Sequence, residues 1–181
     1  MKVIHTRLNG VLIVEPVVHG DERGFFMESY NERLFAEHGI TVRFVQDNHS
    51  MSAEAGTLRG LHYQLNPMAQ TKLVRVLSGA IYDVVLDLRK DSSTYGEWEG
   101  FTLSAENKRQ LLVPKGFAHG FCTLMPHTQV LYKVDEYYSP EHDRGILWSD
   151  PELAIDWPCT NPILSAKDQK HPLFRDAEFD F

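Results

Sequence analysis

The 181-residue sequence predicts an all-β fold, a jelly-roll barrel with a few short helices, in one domain spanning residues 1–181. Two observations predict it. Short runs of β-branched and aromatic residues dominate the chain, and glycine or proline turns separate them. Only one segment carries helix start and stop signals, so most of the core must come from packed strands. At 43% hydrophobic and 24% charged, the chain has the make-up of a globular protein with a real core.

The elements read in order as follows. Val11–Val14 and Val17–Val18 flank Pro16 as short β-type runs. Ser29-x-x-Glu32 fits a capping box, Leu34, Phe35 and His38 follow, and Gly39 can close the helix. Leu73–Leu77 and Ile81–Leu88 are strands, and Ser78-Gly79 between them predicts a tight hairpin turn. Within the second run, Asp83, Val85 and Asp87 share one face. Gln110–Val113 and Gln129–Val134 are further strands, the latter setting Val130, Tyr132 and Val134 against Leu131 and Lys133. Five prolines from Pro140 to Pro172 predict turns and short helical pieces wrapped over the body.

Composition excludes several classes of function. A net charge of -7 argues against general nucleic-acid binding. Cys122 and Cys159 stand far apart with no Cys-x-x-Cys spacing, which argues against a disulfide scaffold or a structural zinc site. No run approaches the ~20 apolar residues of a membrane helix, and no signal peptide is expected. A cytoplasmic location is the default.

Three segments place polar groups where a barrel interior should be apolar. In Leu58-Arg59-Gly60-Leu61-His62-Tyr63-Gln64, His62 and Gln64 share one strand face. Gly60 can bend the strand and return Arg59 to the cavity. Lys72 follows soon after, beyond a turn at Asn66-Pro67. Pro114-Lys115-Gly116-Phe117-Ala118-His119 matches the Pro-x-Gly-x-x-His pattern of cupin barrels, whose histidine often binds metal. The other cupin pattern needs His-x-His and a glutamate, whereas this chain has His62-x-Gln64 and a nearby lysine. No metal and no other cofactor is therefore expected. Arg23 and Arg59 have the forked donors that suit a pyrophosphate, and Gln46 and Asn48 suit a nucleobase edge or sugar hydroxyls.

Seven motifs in order over almost the whole chain carry a family resemblance. They are Gly20–Phe26, Phe44–Ser50, Leu58–Gln64, Lys72–Arg75, Leu103–Asn107, Pro114–Phe121 and Leu164-Ser165-x-Lys167-Asp168. Together they resemble the dTDP-4-dehydrorhamnose 3,5-epimerases, metal-free members of the cupin superfamily in dTDP-L-rhamnose biosynthesis. The resemblance implies an isomerase that inverts carbons 3 and 5 of dTDP-4-dehydro-6-deoxy-D-glucose. It implies His62 as general base paired with Asp168, Tyr132 as proton donor and Lys72 beside the keto oxygen. It implies substrate contacts at Arg23, Glu28, Gln46, Asp47, Asn48 and Arg59, and at His119, Asp143 and Lys167. It implies that Tyr138 stacks on thymine, and that the protein is a homodimer whose N-terminal segment pairs with the partner's sheet. Neither a nucleic acid nor a membrane is an expected partner.

Overall fold

Apolar residues that occur on both faces of a strand need a cover on both sides, and the strands here satisfy this by stacking in layers. The computed structural model describes residues 1–181. In chain order the strands begin β1 (Lys2–His5), β2 (Leu12–Glu15), β3 (His19–Asp21) and β4 (Gly24–Phe26), followed by helix α1 (Glu32–Glu37). Next come β5 (Gln46–Ser52), β6 (Leu58–Gln64), β7 (Lys72–Ser78), β8 (Ala80–Asp87) and β9 (Trp98–Ser104). The last are β10 (Gln110–Val113), β11 (Phe117–Thr123), β12 (Thr128–Val134) and β13 (Asp143–Gly145). One sheet runs β1-β2-β10-β7-β12-β5, a second runs β13-β6-β11-β8-β9, and β3-β4 forms a separate hairpin.

Val74, Val76, Leu111 and Val130 from the first sheet meet Val85, Phe117 and Phe121 from the second, filling the inner layer. Residues one step along the same strands point outward. Leu58, Leu61, Val84 and Leu86 pack beneath Ile146, Leu153, Trp157 and Phe174 of the C-terminal segment. Val14, Leu73 and Leu112 lie under Phe35 of α1 and Ile40. Burying each such side chain is worth roughly 1.5–3 kcal/mol, so both outer covers stabilise the sheets as well as shield them. The jelly-roll class holds, and the C-terminal third is turns with short 3-10 pieces at Asp168–Lys170 and Phe174–Asp176.

Three local expectations change. Ser78-Gly79 is a corner between sheets, not a hairpin turn: β7 pairs with β10 and β12, whereas β8 pairs with β11 and β9. The local signal for a tight turn is the same either way, and long-range pairing decides which strand edges are taken. Gly79 has φ +77°, and a Cβ there would stand 2.3 Å from Thr128 Oγ1. Val17 and Val18 lie in no strand and are 52% and 40% exposed. The cap of α1 is Asn31, not Ser29: Asn31 Oδ1 accepts from the Leu34 amide at 3.2 Å. Asparagine caps as well as serine, and the Ser29 carbonyl instead accepts from Gln110 Nε2 at 2.7 Å. Gly39, at φ +80°, does follow the helix end.

Candidate active site

Simple alternation on β6 would put Arg59 and His62 on opposite faces, three residues apart. The strand contains an irregularity that brings them together. His62 pairs with His119 and Arg59 with Phe121, so the register shifts within this stretch. The shift coincides with Gly60, at φ +126°, where a Cβ would stand 2.6 Å from the Gly120 Cα. No other residue fits this crossing of β6 and β11. The result is the one anticipated from the glycine: Arg59 and His62 line the same cavity.

That cavity, of about 260 Å³, opens between the two sheets. The second sheet supplies Arg59, His62, His119 and Phe121, and the first supplies Ser50, Lys72 and Tyr132. Ser165, Lys167 and Asp168 complete it from the C-terminal segment. His62 and Tyr132 thus come from facing sheets. Arg59, Lys72 and Lys167 bring positive charge to a lining that holds one carboxylate, Asp168, a balance that suits an anionic ligand.

His62 Nε2 lies 2.5 Å from Asp168 Oδ1. With that N–H donated to the carboxylate, Nδ1 keeps the lone pair. Burial holds the imidazole below its ordinary pKa of 6.5, outweighing the opposite pull of Asp168; Lys72 and His171 push it further down. Asp168 is 3% exposed. Burial alone would raise its pKa, but interactions with His171, His62 and Ser165 hold it well below the usual carboxylate range. It is therefore ionised, and the imidazole is neutral, near pH 7. Lys72 is buried, and desolvation lowers its pKa to about 8 against the opposing charges of Asp143 and Asp83. Its Nζ lies 3.5 Å from the His62 carbonyl oxygen. Burial raises the Tyr132 pKa, so its hydroxyl keeps its proton through the neutral range.

A second group adjoins the cavity through Ser50 and Lys167. On β5, Gln46, Asn48 and Ser50 face the same way, opposite Val134, Tyr132 and Val130 of β12. Gln46 Nε2 donates to Asn48 Oδ1 at 2.9 Å. The Tyr138 hydroxyl donates to Asp143 Oδ2 at 3.1 Å, and Lys167 forms an ion pair with the same oxygen. The Tyr138 ring is 57% exposed.

Three expected contacts lie elsewhere. Asp47 occupies the other face of β5, where Lys133 pairs with it at 2.9 Å. Arg23 is paired with Asp21 on the β3-β4 hairpin. Glu28 accepts from Asn31 and lines a separate cavity of about 380 Å³ with Met1, Val17 and Phe26. That cavity is larger but holds no buried acid–base pair.

Some site residues escaped the sequence reading. Asp83 is fully buried and lies 2.5 Å from His119 Nε2, a second imidazole–carboxylate pair beside the first. Its place on the inner face of an apolar strand was a legible signal. His171 Nε2 lies 3.4 Å from Asp168 Oδ1, and the two histidine rings meet edge to face at 5.4 Å. Only the fold brings it there. His62, Asp168 and His171 offer three metal-donor atoms within 4.8 Å of one another. The positive charge of Lys72 acting at His62 opposes a cation at that point.

Comparison with known proteins points to epimerases of nucleotide-linked keto sugars. Residues 5–176 match the family model described as dTDP-4-dehydrorhamnose 3,5-epimerase. The chain is 56% identical to the dTDP-4-dehydrorhamnose 3,5-epimerase of Shigella flexneri over 180 residues, 99% of each chain. The structure of the Bacillus anthracis dTDP-4-dehydrorhamnose 3,5-epimerase, with TDP and PPi bound, is 64% identical with a TM-score of 0.94, covering 95% of this chain and 98% of that one. The Legionella pneumophila dTDP-6-deoxy-D-glucose-3,5-epimerase, in complex with dTDP-4-keto-L-rhamnose, is 49% identical with a TM-score of 0.91, covering 95% and 92%.

Proposed function

The chain belongs to the dTDP-4-dehydrorhamnose 3,5-epimerase family, and from that premise we propose how the residues of its pocket share the work. The reaction is the epimerisation of carbons 3 and 5 of dTDP-4-dehydro-6-deoxy-D-glucose, giving dTDP-4-dehydro-L-rhamnose. Both carbons flank the 4-keto group, so loss of either proton leaves an enolate. His62 Nδ1 takes the proton, and Asp168 orients the ring and stabilises the imidazolium that forms. The Lys72 ammonium holds the enolate oxygen, a contribution of about 3–4 kcal/mol by analogy with a single oxyanion donor. Tyr132 returns a proton to the opposite face, and inversion follows. Presenting the second carbon to the same base and acid requires the sugar to shift within the pocket.

The single observation that carries this reading is the short His62–Asp168 contact on one side of a cavity whose other side bears Tyr132 and Lys72. Arg59, His119 and Lys167 hold the diphosphate and sugar. Tyr138 offers its exposed ring to thymine, with Gln46, Asn48 and Asp143 beside it. Binding energy from these remote groups positions the reacting carbons.

Arg23 and Glu28 act on a partner subunit's substrate. The protein is a homodimer in which the β3-β4 hairpin, with Phe25 60% and Phe26 67% exposed, reaches across. Asp47 has no substrate role in this reading beyond its pairing with Lys133. The chain works as one domain in the cytoplasm; none of its helices is long and apolar enough to cross a membrane.

The test is proton NMR with dTDP-4-dehydro-6-deoxy-D-glucose in deuterated water. His62→Ala and Asp168→Ala should each abolish nearly all exchange at carbons 3 and 5; wild-type exchange in His62→Ala would sink the base assignment. Tyr132→Phe should lower epimerised product more than exchange, because it blocks return of the proton and not its removal. An equal fall in both would give Tyr132 another role.

A further inference from the structure

β11 carries His119 and Phe121 of the cavity, and next to them Cys122, which packs into the layer beneath the C-terminal segment. Cys122 is 1% exposed. Cys159, in that C-terminal segment, packs against the same layer and is partly exposed. Both thiols are free, and their sulfurs are 3.0 Å apart although 37 residues separate them. A disulfide needs about 2.05 Å, so a small closing movement suffices.

We propose that Cys122 and Cys159 are a redox-active pair, closed to a disulfide by a low-molecular-weight disulfide, that cross-links β11 to the segment bearing Lys167 and Asp168. Cys159 is the thiol that a dissolved oxidant can reach. Its thiolate attacks one sulfur of the small disulfide, forms a mixed disulfide and releases one thiol. Cys122 then attacks the Cys159 sulfur, gives up its proton and expels the second thiol. Two protein thiols and one small disulfide become one protein disulfide and two small thiols, with both electrons passing to the oxidant. The order of attack follows from the surroundings. Burial, and then the adjacent Cys159 sulfur, push the Cys122 thiol up to about 12, so it stays protonated until its partner is activated.

Closing this loop restricts the unfolded chain. A stabilisation of the usual size for a disulfide corresponds to a rise in Tm of about 5–10 °C for a domain of this length. Because the sulfurs already touch, the cavity is little disturbed and activity persists.

The experiment treats the reduced enzyme with oxidised glutathione. The expected product has lost the mass of two hydrogens, maps to a Cys122–Cys159 peptide pair, melts about 5–10 °C higher and reverts with dithiothreitol. Cys159→Ser should keep its activity and show neither the cross-link nor the shift. Three outcomes would overturn the pairing: a lasting glutathione adduct at Cys159, an unchanged mass under excess oxidant, or a cross-link between chains on a non-reducing gel. A closed intramolecular disulfide with an unchanged Tm would overturn the stabilising cross-link.

Discussion

At His62, desolvation and an adjacent carboxylate pull the pKa in opposite directions, and desolvation wins. The base is thereby kept free at neutral pH, while Asp168 remains ready to stabilise the cation that forms when it works. Lys72, held at about 8, must stay protonated to hold an enolate. These two groups set opposite limits. As pH falls through the depressed pKa of His62, the imidazole gains a proton and cannot act; as pH rises through about 8, Lys72 loses its charge. The pH profile of kcat/KM should therefore be bell-shaped, with its acid limb below the ordinary 6.5 of histidine and its basic limb near 8. Lys72→Arg, whose charge does not titrate in this range, should remove the basic limb whatever it does to the rate. A basic limb that survives in that variant would assign it to another group.

Among the elements, β6 does the most to build the site. Its motif was legible because a glycine between an arginine and a histidine departs from an apolar alternation. The register shift that turns both side chains inward depends on Gly120 of β11, at the far end of a long-range pairing. Gly60→Ala should lower stability by about 2–4 kcal/mol, through the clash together with backbone strain, and should remove most of the activity. Gly39→Ala is the control. Gly39 has φ +80° but nothing within 4 Å of a Cβ, so it bears only the strain. Urea unfolding of the two variants separates these contributions; equal losses would mean that the close approach to Gly120 costs nothing. Helix α1 teaches a related lesson. Ser29 and Asn31 both had capping chemistry, and the Gln110 side chain on β10 took the carbonyl of the first.

For the molecule as a whole, three apolar layers account for the sheets, but one chain leaves Arg23 and Glu28 outside the catalytic cavity. If the partner's hairpin supplies them, two variants damaged at different sites should rescue each other. Mixing His62→Ala with Arg23→Ala chains, after dissociation and reassociation, should restore up to about a quarter of wild-type activity, since half the dimers are mixed and each has one intact site. The two unmixed variants should stay low, and absence of rescue would return Arg23 to its own subunit or to no role.

The sequence by itself determined the all-β class and the C-terminal wrap, because strand alternation and turn residues are local properties, while the family resemblance of its motifs pointed to His62, Lys72, Tyr132 and Asp168. Tertiary structure alone decided that Ser78-Gly79 turns between sheets, that Asp47 pairs with Lys133 while Gln46 and Asn48 share the face of the cavity residue Ser50, and that Asp83 lies beside His119 and His171 beside Asp168. Each of these depends on which distant strand supplies the hydrogen bonds and in what register. A shift of one residue exchanges the two faces of a strand, and where both faces are covered the strand's own apolar pattern does not record the shift.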